Sequence, residues 1–274
     1  MKMNTGSISV IMGIYNCADT LPQAIDSILA QTYSNWELIL CDDCSTDDTY
    51  AVAKRYAEKY PQKIKLLKNS ENSRLAYTLN HCLAAASGEL IARMDGDDYC
   101  APDRFEKQVR FLREHPEYDL VGTSMRRFSG DELHDVVYKP EQVDKYSMRS
   151  IVPFNHATIL TYRAVYDQLN GYTVSERTKR AQDYDLWFRF FHAGFRGCNL
   201  REPLYFVRED MNAIRRRTFR VRWNAYKTTR IGFRLLGFPG RWLIKPFFMV
   251  FAKSVVPYRV IYLYRKLQER RHNV

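Results

Sequence analysis

Five carboxylates stand where apolar runs end: Asp42 and Asp43 after residues 36–41 (WELILC), and Asp95, Asp97 and Asp98 after residues 90–94 (LIARM). Carboxylates gathered at one edge repel, and the repulsion costs stability unless cations or hydrogen-bond donors offset it. A divalent metal is the simplest such partner. Mg²⁺ and Mn²⁺ prefer oxygen ligands, and Mg²⁺ takes one or two carboxylates together with substrate phosphates. Asp95-Gly96-Asp97 could instead be a plain turn, but no hairpin pattern flanks it. Asp47 and Asp48 read as caps of the helix that follows them. A further carboxylate, Asp183, opens a segment in which Leu186, Trp187, Phe190 and Phe191 recur at helical spacing. It can project from a helix N-terminus into a cleft as a general base, or act as an ordinary cap. The positive end of the helix lowers the pKa of such a base. Asp185 is expected to face solvent.

The elements that must position these groups alternate. Ile8–Ile14 (ISVIMGI) is a short β-branched run suited to a buried parallel strand. A helix follows, with Asp19 or Thr20 as cap, Pro22 in its first turn and Leu21, Ile25, Ile28 and Leu29 on one face. Strands are expected at 36–41, 64–67 and 90–94. Helices are expected after Asp47, with Val52, Tyr56 and Tyr60 at helical spacing, and at 75–86, ended by Gly88. This alternation predicts a mostly parallel sheet with helices on both faces, and ligands in such sheets sit beyond the carboxyl ends of the strands. The carboxylates named above lie at those ends.

Several alternatives fail. No G-x-G-x-x-G follows the first strand and no G-x-x-x-x-G-K-[ST] occurs, so neither a dinucleotide fold nor a P-loop is supported. Cys41 and Cys44 form a C-x-x-C without a second ligand pair, so the six cysteines read as reduced thiols. The N-terminus shows no charged-then-apolar leader, and a cytosolic setting is the expectation. Hydrophobic residues at 46% and charged residues at 27% of 274 rule out a disordered, collagen-like or coiled-coil chain. The charge of +11 is uneven: residues 1–211 hold 26 Lys and Arg against 30 Asp and Glu, whereas 212–274 hold 16 against Glu269 alone.

The series SVIMGIYN (9–16), SILAQTY (27–33), WELILCDDCSTDDT (36–49), GELIARMDGDD (88–98) and AQDYDLW (181–187) resembles family 2 glycosyltransferases over roughly residues 8–208. The resemblance implies a GT-A fold and a nucleotide-activated sugar donor. Gly13, Tyr15 and Asn16 would then belong to the nucleotide site, with Tyr15 against the base, Asp43 accepting its imide N–H and Arg74 reaching in from the loop before the third helix. Asp95 would face the ribose and metal, and Asp97 would be the direct ligand of Mn²⁺ or Mg²⁺ bridging to the diphosphate. Asp183 takes the general base's place. Asp98, His156 and Trp187 are further candidates for acceptor or diphosphate contacts, although a satisfied turn histidine is an equal reading of His156. Two positions depart from the family pattern. Gly13 stands where Pro, Ser or Thr is usual, and Gln182 where a Glu precedes the base, so a like-charge influence that would raise the Asp183 pKa is missing.

The chemistry accounts for the same residue types. Displacing a nucleoside diphosphate leaves charge on a phosphate oxygen, which a metal stabilises, and the attacking hydroxyl must lose a proton to a carboxylate. A single such carboxylate implies direct displacement with inversion, of hexosyltransferase type. The acceptor would be a lipid-linked or polysaccharide hydroxyl and the donor a UDP-sugar. Residues 1–211 form the expected catalytic domain. Residues 212–274 form a basic, aromatic helical tail, with one helix at about 212–236 and another opened by Pro257. No run reaches the ~20 apolar residues of a spanning helix. An anionic membrane surface is therefore the expected partner, with the enzyme peripheral on the cytoplasmic face. A basic face packed on the catalytic domain is the competing reading, and no nucleic-acid partner is expected because no recognition module precedes the tail. The functional alternatives are a nucleotidyltransferase on a related sheet and a non-catalytic membrane or nucleic-acid binding protein.

Overall fold

The computed structural model describes residues 6–209 and 218–255. Strands β1 (Ile8–Ile14), β2 (Trp36–Asp42), β3 (Ile64–Lys68) and β4 (Leu90–Arg93) alternate with helices α1 (Leu21–Leu29), α2 (Thr49–Lys59) and α3 (Arg74–Ala85). The pattern then becomes less regular: β5 (Tyr99–Cys100), α4 (Arg104–Glu114), β6 (Leu120–Ser129), β7 (Glu132–Val137), β8 (Gln142–Val143), β9 (Leu160–Tyr162), α5 (Arg163–Gln168), α6 (Gln182–His192) and β10 (Gly197–Arg208). Helices α7 (Phe219–Leu235) and α8 (Ile244–Val255) follow.

The sheet order is β3-β2-β1-β4-β9-β6-β10-β5, with β7 on β6 and β8 on β10. β1 pairs in parallel with both β2 and β4, so the chain leaves β1 toward one side and later returns to the other. A crevice opens at such a switch point, outside the carboxyl ends. Beyond β4 the sheet is mixed, because β9 runs antiparallel to β4 and β6 while β6 and β10 are parallel.

The two-residue period of the strands divides the core into two layers. Val10, Met12, Leu38, Leu40 and Ala92 pack with α1, α2 and α4 on one face. Ile11, Ile39 and Ile91 pack with α3, α5 and α6 on the other, where Phe233 of α7 joins them. β1 occupies the expected residues, while β2 and β3 run one residue further and β4 stops one earlier. Asp48 occupies the N-cap position of α2, but its side chain makes no capping bond. The Asp47 carboxylate accepts the N–H of Thr49, the first residue of α2, and also that of Ala18, which ties the loops after β1 and β2 together.

The described part of the basic tail is folded against the catalytic layers. Gly232 of α7 faces the Phe188 ring so closely that an added Cβ would lie 2.1 Å from it, and the Phe188 and Phe233 rings meet edge-on at 5.9 Å. The expected helix at 212–236 is described from Phe219. Residues 210–217, with Arg215, Arg216 and Arg217, and the helix expected after Pro257 lie outside the described residues. Among the described residues no helix is long and apolar enough to cross a membrane.

Candidate active site

A cleft of about 730 Å³ opens at the carboxyl ends of β1 and β2. One rim is built from the first three βα turns. Asp43, 5% exposed, accepts the Asn69 Nδ2 amide and the Ser73 N–H on Oδ1, both at 2.8 Å, and the Arg74 N–H on Oδ2 at 2.9 Å. A carboxylate offers about four acceptor sites, so capacity remains for one further donor. The bond from Arg74 accompanies a left-handed backbone, φ 72°, at the first residue of α3. Such a conformation costs an ordinary side chain stability, and Asp43 helps hold it. Arg74 and Tyr15 both line the cleft. Gly13 leaves little room for a side chain, since a Cβ there would come within 3.1 Å of Leu75 and of Thr78 of α3, and both would have to shift slightly. Asn16 does not reach the cleft. Its side chain accepts the Thr46 N–H at 2.9 Å, and it clamps the loop after β1 to the loop after β2.

The acidic cluster lies at the end of β4. Ligand oxygens of Asp95, Asp97 and Asp98 all fall within 4.8 Å of one another. Their partners differ. Asp95 is forked by the buried Arg93 guanidinium. Asp98 is buried, accepting the Tyr205 hydroxyl at 2.9 Å and the Arg208 N–H at 2.8 Å. Asp97 is exposed, and among the described residues no other side chain donates to its carboxylate; burial of its surroundings and the charge of Asp95 push it up to about 6. Three carboxylates thus face the guanidinium groups of Arg93 and Arg208, leaving negative charge uncompensated. An all-oxygen donor set with one free carboxylate fits a divalent Mg²⁺ or Mn²⁺ ion.

Asp183 stands on the opposite rim of the cleft. It is the second residue of α6 and partly buried. Burial raises its pKa, outweighing the Tyr184 amide and the field of Arg93, which both lower it, while Asp95 adds to the rise. This corrects the expectation of a depressed base: desolvation exceeds the helix-end effect. Arg93 therefore stands electrostatically between Asp95, Asp97 and Asp183. Gln182 lines the cleft beside Asp183, and its buried Oε1 has no hydrogen-bond partner among the described residues.

The loop before α6 is held from behind and from the side. Asp185 is 4% exposed rather than solvent-facing, and accepts from Thr173 Oγ1 at 2.6 Å, from Arg177 and from Arg189 Nε at 2.9 Å. It desolvates, but these bonds keep its carboxyl below the usual range. From α7, Asn224 Nδ2 donates to the Glu176 carbonyl at 3.0 Å, Thr228 Oγ1 to the Arg177 carbonyl at 3.2 Å, and Arg220 pairs with Glu176 at 3.3 Å. Thr218, Arg220, Val221 and Asn224 themselves line the cleft.

Two expected contacts lie away from the cleft. Trp187 is 0% exposed and packs edge-on against Phe154 at 5.1 Å, so it is core and not an acceptor surface. His156 is buried with Nε2 2.7 Å from the Tyr172 hydroxyl, and desolvation holds it well below the usual imidazole pKa. All six cysteines are free thiols. Sequence reasoning passed over Arg93, Tyr205, Arg208 and the cleft-lining face of α7. Arg93 had a signal, since a cation inside a buried strand requires a partner. The others come from elements whose pairing is non-local.

The fold is that of a GT-A glycosyltransferase. Solved structures share it: S. aureus TarS residues 1–349 in complex with UDP-GlcNAc gives a TM-score of 0.68 at 19% identity, covering 84% of this chain and 66% of that one. The mannosyltransferase PcManGT of Pyrobaculum calidifontis, with GDP-Man and Mn²⁺, gives 0.65 at 21% identity over 91% of this chain and 69% of that one. The chain thus spans about two thirds of the length of the solved proteins it matches. The model of Glycosyl transferase family 2 matches residues 9–197, and the chain belongs to that family. A Bacillus subtilis (strain 168) protein named putative glycosyltransferase EpsE is 52% identical over 218 residues, 79% of this chain and 78% of the relative. An Escherichia coli protein named UDP-Glc:alpha-D-GlcNAc-diphosphoundecaprenol beta-1,3-glucosyltransferase WfaP is 28% identical over 205 residues, 73% of this chain and 77% of the relative. The chain is similar to bacterial glycosyltransferases of polysaccharide synthesis.

Proposed function

We propose that the protein is an inverting, metal-dependent transferase that moves a hexose from a UDP-sugar to a hydroxyl of a lipid-linked or polysaccharide acceptor, at the inner face of the cell membrane. The observation that carries this reading is the shared cleft: Tyr15, Asp43 and Arg74 line one rim and Asp183 the other. Asp43 has room for one base-edge N–H, and Tyr15, 46% exposed, offers a ring for stacking. Arg74 supplies positive charge to the donor. Asp97 and Asp95 would hold Mn²⁺ or Mg²⁺, which when bound offers a Lewis acid to the leaving diphosphate. Asp183 takes the proton of the acceptor hydroxyl as it attacks, and its raised pKa brings it closer to the working pH, which favours proton transfer. The lipid-linked acceptor is favoured by the WfaP name, and the UDP-sugar by that name together with the TarS complex.

The test is thermal denaturation with and without Mn²⁺ and UDP, followed by a panel of nucleotide sugars assayed for metal-dependent hydrolysis. A melting temperature raised only when metal and UDP are both present, with hydrolysis of one UDP-sugar, supports the reading, because ligands of the native state stabilise it. No metal-coupled shift with any nucleoside diphosphate refutes it.

A further inference from the structure

Every exposed phenylalanine among the described residues, Phe219, Phe248 and Phe251, lies on the α7–α8 hairpin. On α8, Ile244, Phe248 and Phe251 are spaced i, i+4 and i+7 and are 58%, 64% and 42% exposed, so they form one outward stripe. Phe219 meets the end of that stripe, its ring 5.8 Å from Phe251. Beneath it Trp223, Tyr226 and Phe247 pack ring to ring and brace the two helices. Residues 218–255 contain eight Lys and Arg and no acid. Exposed apolar patches of this kind mark an interaction site, and a cationic hairpin that carries no acid of its own complements an anionic partner.

We infer that the α7–α8 hairpin is a docking face for an anionic lipid surface, and that docking sets the cleft mouth at the level of the lipid headgroups. The second part follows from continuity. Phe219 at the end of the stripe is flanked by Thr218 and Arg220, both of which line the cleft that Asp183 overlooks. The aromatic stripe enters the headgroup boundary, and the lysines and arginines around it meet lipid phosphates, at about 1 kcal/mol per basic residue near the surface. This rests on the proposed transfer to a lipid-linked acceptor, which would approach from the plane in which α8 lies.

Co-sedimentation of the full chain with vesicles of phosphatidylcholine alone or with phosphatidylglycerol tests it, at low and high salt. The expected result is binding to the anionic vesicles that weakens with salt, since screening acts over ~8 Å at physiological ionic strength, and at least tenfold weaker binding for Ile244→Ser/Phe248→Ser. A second variant, Arg241→Glu/Lys245→Glu, should lose binding without touching the apolar stripe. Both should keep the wild-type melting shift with Mn²⁺ and UDP. Loss of that shift in the wild-type protein would sink the transferase reading and leave the docking result standing. The inference is overturned if the wild-type protein does not bind anionic vesicles, if both variants bind like wild type, or if the stripe is covered by a second copy, shown by a wild-type dimer that the serine variant turns into a monomer.

Discussion

The two rims of the cleft are built in different ways. The Asp43 rim comes from chain-adjacent turns: Asp43, Asn69, Ser73 and Arg74 lie within about thirty residues, and their bonds are made by βα loops that parallel strands place together. The Asp183 rim is assembled from segments far apart. Asp183 stands on α6, its loop is anchored through Asp185 to Arg177 and Arg189, and α7 clasps that loop across 44 to 51 residues of chain. The first rim is a property of the sheet. The second depends on a C-terminal helix staying docked, so it is the rim that opening or binding can most readily disturb.

The largest separation of the two rims is expected from the acidic cluster. Asp97→Ala should abolish metal-dependent transfer while leaving apo stability unchanged or higher, because it relieves repulsion with Asp95. The melting shift with Mn²⁺ should vanish, and activity retained at saturating Mn²⁺ would contradict the assignment. Asp183→Asn comes next: nucleoside-diphosphate affinity near wild type, with turnover lower by ~10² to 10⁴. If affinity collapses along with turnover, Asp183 belongs to binding and the rims are not functionally distinct.

Phe233→Ala probes the clasp itself. Removing a buried ring packed on Phe188 should cost about 3 kcal/mol or more, measured by denaturant titration, and should lower turnover more than UDP affinity. Equal losses in both would mean that α7 supports the two rims alike. The smallest effect is expected from Gln182→Glu. A carboxylate beside Asp183 adds a like charge, which raises the Asp183 pKa further above its ordinary value. The base works only when ionised, so the acid limb of the pH–rate profile should move to higher pH; movement to lower pH would remove Asp183 from the role of base.

Much of the Asp43 rim was legible in the chain. Alternating apolar runs located β1 to β4, and Asp43, Asp95 and Asp97 follow from which residues end those strands, because local periodicity decides both strand and loop; Arg74 comes only from the family resemblance. Trp187 and Asp185 show where that logic fails. Both sit on an amphipathic helix: the expectation for Asp185 is a solvent-facing side chain, and Trp187, although period groups it with Leu186 and Phe190, stands as a candidate ligand contact. In the folded protein two arginines and a threonine draw Asp185 inward, and Phe154 covers Trp187. Arg189 lies one turn along the same helix, but Thr173, Arg177 and Phe154 come from outside it.

By itself the sequence determined the strand–helix alternation, the carboxylate ends of the sheet and the concentration of positive charge in the last quarter of the chain, since these depend on residue type and spacing along one segment. Only the tertiary structure decided that the field of Arg93 on β4 would reach Asp183 on α6, that burial would lift the pKa of Asp183 despite the helix end, and that the basic helix α7 would form a wall of the cleft. Each of these is a distance between segments remote in the chain, and desolvation and Coulomb interaction depend on such distances.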